Sequence, residues 1–420
     1  MPRRKLVTSW FTHKMIGLLL LAISFAGWGA QARRHAAPVP AVTAAPAALL
    51  TTISVNSTAD GTLANLALNA TCDLREAIEA ANTNAAVGQC PAGMAGLDTI
   101  GFAPGVTGTI TLTQGELVIG EALTLAGPGH SHIIISGNQA SRVLRIAAGN
   151  FDVTLSGLTL INGRVMGADA VGTGHNVGGD SLGGGIFNES SGTLHVTNSA
   201  LLGNSAVGGS ARGFDANNAA LSNTGGAGRG GAIYNVSGTL HVTNCTLYGN
   251  SALGGLTTLG YAASGGAGQG GGIYNVSGTL HVTNGTLAAN SATGGQGNGD
   301  GANSDEFGGD GQGGGIFNVS GTVNLTGSTL STNSAVSGPT TVTSGFGRGG
   351  GIFSASGTVN VTNSTLSGNS AAGGSGGPND EITGGSGQGG GIFNSGGPVN
   401  GRDTIIAQNT ATTQWPDLSG

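Results

Sequence analysis

The chain contains Gly231-Ala232-Ile233-Tyr234-Asn235, then Thr239-Leu240-His241-Val242-Thr243, then Asn250-Ser251-Ala252. This pattern decides the fold, because it recurs. The opening block returns as Gly184-Gly185-Ile186-Phe187-Asn188, Gly271-Gly272-Ile273-Tyr274-Asn275, Gly314-Gly315-Ile316-Phe317-Asn318, Gly350-Gly351-Ile352-Phe353-Ser354 and Gly390-Gly391-Ile392-Phe393-Asn394. The closing asparagine returns as Asn204, Asn290, Asn333, Asn369 and Asn409. From Ile to Asn the distance is 18 in the first copy and 17 in the other five. The extra residue lies in Glu189-Ser190-Ser191. From each Asn to the next Ile it is 29, 23, 26, 19 and 23. A rigid core therefore alternates with a segment of free length. Rigid spacing means strands stacked in register. Free spacing means a loop that leaves and returns at one corner.

Within the core, Thr239 to Thr243 alternates polar and apolar, the period of a strand. One core is too short to bury a face alone, but copies stacked at about 4.8 Å bury a continuous column. Segments 109–113, 116–119, 122–126, 132–136, 142–147 and 153–161 have the same strand character without long loops. The expected fold is all-β: a right-handed single-stranded parallel β-helix, a solenoid of roughly nine turns, right-handed by the usual rule for parallel crossovers. Stacking makes each repeated position a column. Ile186, Ile233, Ile273, Ile316, Ile352 and Ile392 should point inward. Asn188, Asn235, Asn275, Asn318 and Asn394 form one amide column, and Asn204, Asn250, Asn290, Asn333, Asn369 and Asn409 another. Stacked amides bond from rung to rung, so both read as structural ladders.

Composition agrees. Of 420 residues, 84 are glycine and 8% are charged. Glycine at that density excludes a helical bundle, and its irregular spacing excludes collagen. Of those glycines, 68 lie from residue 151 onward. They are expected at tight bends and in a fringe of mobile loops along one edge, where recognition would sit. Six of the 14 basic residues lie before residue 35 and all 20 acids after it, so the remainder carries 8 − 20 = −12. An acidic, lysine-free body argues against nucleic acid and against anionic membranes.

Residues 1–32 read as a secretory signal: Arg3, Arg4, Lys5 and Lys14, an apolar run from Ile16 to Ala26, then Ala30-Gln31-Ala32. The run is short for a membrane span, and nothing later is apolar enough to be one. Residues 33–51 form an Ala/Pro-rich linker. Residues 52–106 form an N-terminal cap, and 107–420 the solenoid, with looped repeats from about 163. In an exported chain three cysteines suggest one disulfide and a leftover. Cys72 and Cys90 share the cap region and, if paired, close a loop worth roughly 3 kcal/mol. Cys245 occupies a slot that other copies fill with Ser199, Gly285, Ser328 and Ser364.

Residues 72–82 read Cys-Asp-Leu-Arg-Glu-Ala-Ile-Glu-Ala-Ala-Asn. This resembles the CSLREA domain of bacterial exported proteins, with Asp73 at the family's Ser. The later Gly-Gly-Ile-Phe/Tyr-Asn copies resemble repeats of the polymorphic outer-membrane protein family. The resemblance covers residues 52–420 and implies a pectin-lyase-like β-helix at the bacterial surface, outer membrane or medium, without implying an activity. By its own physics, Asp73 with Glu76 makes a capping-box-like helix start, and Leu74, Ala77, Ile78 and Ala81 fall on one face. A short helix lidding the first rung is expected, with Arg75 and Glu76 as a local ion pair.

Candidate chemistry is sparse. No paired acids recur at rung spacing, as a lyase or hydrolase would need, so no catalytic residue and no cofactor is assigned. The acidic loop around Asp300, Asp305, Glu306 and Asp310 holds a single, imperfect start of a Ca²⁺-binding repeat. Gly226 to Gly231 and Gly266 to Gly271 match G-x-G-x-x-G by chance, since no strand and helix flank them. His195, His241 and His281 share one outward position, continued by Asn324, Asn360 and Asn400. Such a ladder could hold Zn²⁺ or Cu²⁺, or respond to pH; a solvated face is the plainer reading. Phe187, Tyr234, Tyr274, Phe317, Phe353 and Phe393 form a column that is either a sugar platform or an internal stack under the adjoining loops. Three functions fit: a non-enzymatic exported adhesion or glycan-binding protein, a polysaccharide lyase or hydrolase, and a structural protein that self-associates end to end.

Overall fold

A computed structural model describes residues 52–64, 70–213, 222–258, 262–298, 305–340, 342–374 and 384–419. The signal and linker expected at 1–51, and Asp300, lie outside the described residues. The expected parallel β-helix is present. Each rung contributes a strand to three parallel sheets of nine, ten and nine strands. The isoleucine sheet contains Ile186–Ser190, Ile233–Asn235 and Ile273–Asn275; the histidine sheet Thr193–Thr197, Thr239–Thr243 and Thr279–Thr283; the leucine sheet Ala200–Leu202, Thr246–Tyr248 and Thr286–Ala288. Register is residue for residue: Ile233 pairs with Ile273, and His241 with His281. The extra residue of the first copy is absorbed as a bulge at Asn188/Ser190.

The three sheets enclose a prism filled by one hydrophobic cluster, including every Ile of the column, Leu194, Val196, Leu201 and their equivalents. Alternation puts these side chains inside and their neighbours out. Corners are made by left-handed residues. Asn198, Asn244, Asn284 and Asn363 have φ of 48–54°, a region asparagine tolerates because its side chain bonds locally.

The histidine sheet starts earlier than the loops. Its first two strands are Thr52–Val55 and Asp98–Phe102, and the helix Leu74–Thr83 is inserted between them. The expected capping box forms: the Asp73 amide donates to Glu76 Oε2 at 3.1 Å. Leu74, Ala77, Ile78 and Ala81 pack into the same core as Ile53 and Ile100, so the helix closes the N-terminal end. Cys72 and Cys90 are disulfide-bonded beside it. The expected ion pair is corrected. Glu76 is buried and serves the cap, while Arg75 pairs with Asp60 at 2.7 Å and donates to the carbonyls of Gly115 and Glu116. Two carbonyls and a carboxylate outweigh one carboxylate already used.

The glycine-rich segments differ from the expected mobile fringe. Their described parts form further parallel sheets of seven, three, four and six strands, a lobe stacked along the prism. Its neck is backbone on backbone. Gly226 donates to Gly209, Gly255 to Gly226, Gly266 to Gly255 and Gly295 to Gly266, at 2.7–2.8 Å, alternating between outgoing and returning chain. A Cβ on Gly266 would lie 1.9 Å from the Gly226 carbonyl oxygen. Only glycine lets the two runs approach this closely. Much of the glycine excess is therefore a packing requirement.

Candidate binding surfaces

The two asparagine columns are inward and structural. Asn204, Asn250, Asn290, Asn333, Asn369 and Asn409 each pass an Nδ2–H to the next Oδ1 at 2.9–3.0 Å, and Asp417 accepts the last. Each Nδ2 also donates to a leucine carbonyl, as Asn290 does to Leu247. All donors are used, so these amides are buried without penalty. The other ladder runs Asn188, Asn235, Asn275, Asn318 at 2.7–3.0 Å. Asn394 does not continue it: Ser354 intervenes, and Asn394 donates instead to the Gly397 carbonyl. An exposed third ladder, Asn198–Asn244–Asn284, links the corners and was missed, although its Asn recurs in the repeat.

The outward face of the histidine sheet is the most regular surface. His195, His241 and His281 stack at 4.7 Å between ring centroids, tilted by 11° and 6°. Asn324, Asn360 and Asn400 continue the column, with amide bonds of 2.8 Å. Threonines flank it on both sides: Thr193, Thr239, Thr279, Thr322 and Thr358, and Thr197, Thr243, Thr283, Thr326 and Thr362. Among the described residues these ten hydroxyls have no protein partner. From Thr193 to Thr362 the outward positions carry no charge; Arg402 ends the run. Burial first, then the neighbouring His281 and His195, hold the His241 imidazole below its ordinary pKa. Among the described residues no group of three His, Cys, Asp or Glu has the arrangement to hold a metal ion. Parallel rings 4.7 Å apart explain this for the ladder: ligand bonds of about 2.1 Å cannot span that gap to one ion.

The aromatic column lies on the outward face of the isoleucine sheet. Tyr234, Tyr274, Phe317, Phe353 and Phe393 stack at 4.7–5.3 Å, while Phe187 meets Tyr234 edge-on. It is not an open platform, because Tyr274, Phe317 and Phe353 are 5–8% exposed. The returning strands of the lobe roof it. Arg229 lies over Tyr274, and Arg348 lies over Phe393. Arg229 donates to Gln269, and Gln269 to Gln312. The arginines pair with Asp180 and Asp310. Burial drives the Tyr274 phenol up to about 12. The signal for this roof was legible: Arg or Gln recurs at 229, 269, 312, 348 and 388, inside the motif set aside as chance G-x-G-x-x-G.

Acids also serve the backbone. Asp152 accepts the Thr193 amide at 2.7 Å, and Asp310 that of Phe346 at 2.8 Å. One acidic pair was missed, Asp98 and Glu121 on adjacent rungs. Burial, and next Asp98, raise the Glu121 carboxyl, with a bond from Asn84 opposing. Asp98 itself is buried and accepts the Met94 amide. Cys245 fits its slot as expected: its Sγ lies 3.3 and 3.2 Å from the carbonyls of Val196 and Thr243, much as Ser328 Oγ bonds Val282 and Thr326. Burial raises the thiol to about 11, which leaves it unreactive. No described helix is long and apolar enough to cross a membrane.

No family model and no curated protein matches the chain. A solved structure that matches is ORF18 of Geobacillus virus E2, at 11% identity and TM-score 0.24, covering 86% of this chain and 63% of that one. The chain thus spans less than two thirds of that protein, and a likeness this slight carries no argument.

Proposed function

We propose that this chain is a non-enzymatic exported or cell-surface β-helix that adheres to neutral glycan polymers through the histidine sheet. The carrying observation is that face: ten free threonine hydroxyls flank an imidazole and amide column at constant spacing, without charge. A polymer with a regular repeat can meet equivalent groups on successive rungs, so weak hydrogen bonds add along its length. The signal-like segment 1–32 and the resemblance of residues 72–82 to the CSLREA domain support export. Binding of the full chain to an array of immobilised polysaccharides tests the reading. Neutral polymers should be retained, and Thr243→Lys should weaken retention. Release of sugar would replace adhesion with a lyase or hydrolase activity. Particles that grow with concentration in light scattering, with no glycan bound, would favour the assembling reading.

A further inference from the structure

We propose that a cleft at the last rungs, between Phe393, Gln388 and Trp415, binds a single ring of a neutral saccharide. The proposal rests on reading the protein as a glycan binder and adds a second, distinct site. Two ladders end here together. In the aromatic column each ring is followed by another, but Phe393 is followed on the next strand by Ser419. One end of the stack is therefore open. In the roof, Gln269 donates to Gln312, and Gln312 to Asp310 of its own rung. Gln388 accepts from Arg348 at 3.4 Å, and its own NH₂ has no partner among the described residues.

The rung after Thr410–Ala411 makes no lobe and returns to the isoleucine sheet at Leu418–Ser419 through a short roof segment in which Gln414 bridges Gln388. On that short return stands Trp415, 53% exposed and at φ 51°. A bulky side chain in the left-handed region is an outlier, and such strain gathers at ligand sites. The Trp415 carbonyl accepts the Gly389 amide at 3.0 Å, which pins the turn. The resulting space is about 520 Å³, lined also by Asn394, Ser395 and Leu418. That volume is typical of small-molecule sites.

The chemistry selects the ligand class. None of the lining residues is ionisable. Asp417, the nearest acid in sequence, is used as the last acceptor of the Asn409 ladder. The nearest guanidinium, Arg348 over Phe393, is paired with Asp310, so a uronate or sulfated sugar finds no free counter-charge. A neutral pyranose offers a C–H face to stack as the next member of the aromatic column. Its hydroxyls meet the Gln388 amide and the Ser395 hydroxyl.

Calorimetry on the full chain tests the site, with cellotriose, maltotriose and mannotriose as probes and trigalacturonate as acidic control. At least one neutral trisaccharide should bind and the uronate should not. Trp415→Gly should weaken binding about tenfold or more, as loss of an aromatic anchor does. Glycine is at home at this φ, so the turn is kept. Gln388→Glu gives an independent second variant and should weaken the same ligand. Thr243→Lys should leave trisaccharide binding unchanged. The cleft is overturned if no neutral trisaccharide binds, if the uronate binds as well, or if both cleft variants bind like wild type. Retention of polymers by the histidine sheet would survive any of these results, so the two readings fail separately.

Discussion

In the prism, Ile273 is held by side chains: it shares one core with Leu280, Val282 and Leu287. In the neck of the lobe, Gly266 is held by backbone alone, with its Cβ position 1.9 Å from the Gly226 carbonyl oxygen. Both regions repeat rung by rung and both are parallel. They differ in what can be exchanged. A side-chain core tolerates substitutions that conserve volume. A backbone neck tolerates little, since a carbonyl has no rotamer to yield, and only its outer rungs carry side chains, at Ala168, Ser337 and Ser344. The same chain thus has a robust column and a brittle hinge to a lobe whose outer segments vary in length.

The largest expected effect breaks the neck. Gly266→Val should cost more than the about 1–3 kcal/mol of ordinary overpacking. Amide exchange should lose protection at Gly226, Gly255 and Gly295 while Ile233 and Ile273 keep theirs. Equal protection in the variant would show that the neck does not order the lobe. Next comes the prism. Ile273→Ala should cost about 4 kcal/mol, read as a lower urea midpoint. A cost below about 1 kcal/mol would mean that the rungs close over the cavity.

The two buried ladders sharpen the comparison further. Asn290 serves the Asn250 amide and side chain and the Leu247 carbonyl. The other ladder already accepts Ser354. Asn290→Ser should therefore cost more than Asn275→Ser, about 3 against about 1 kcal/mol. Equal midpoints would show that water replaces either amide.

The outer face should respond to acid. The His241 pKa is depressed in the folded state, by burial and by His281 and His195. As pH falls, the unfolded chain takes up the proton first, near 6.5. This stability is complete above that pH and is lost as pH falls through the lower folded value. His241→Asn, the residue found at 324, 360 and 400, should flatten the melting temperature between neutral and mildly acid pH. An unchanged slope would exclude the ladder as its origin. Glu121 runs the other way. Its folded pKa is raised, so the folded state loses stability as pH rises through that value. Glu121→Gln should give a small rise in melting temperature at neutral pH and none in acid; a fall at neutral pH would contradict the burial of this carboxyl.

Much of this was legible because stacking copies a local pattern into a column. The strict Ile-to-Asn spacing specified the register. The alternation in Thr239–Thr243 specified which residues face the core. Asp73 and Glu76 specified the helix start. Arg75 was misassigned because its partners Asp60, Gly115 and Glu116 lie 15 to 41 residues away. Asn394 was misassigned although Ser354, at the same position of the preceding copy, already interrupts the column. The free-length segments looked like loops because glycine hides alternation: a strand without side chains has no apolar period to read.

The sequence by itself determined the solenoid, its inward columns and its cap, since each follows from periodicity or near neighbours. Only the tertiary structure decided that the glycine segments build a lobe, that Arg and Gln roof the aromatic stack, and that this stack opens beside Trp415. Those features come from two stretches of backbone meeting across a rung, and a contact of that kind leaves no period in the chain. Its trace is the absence of side chains where the two runs touch.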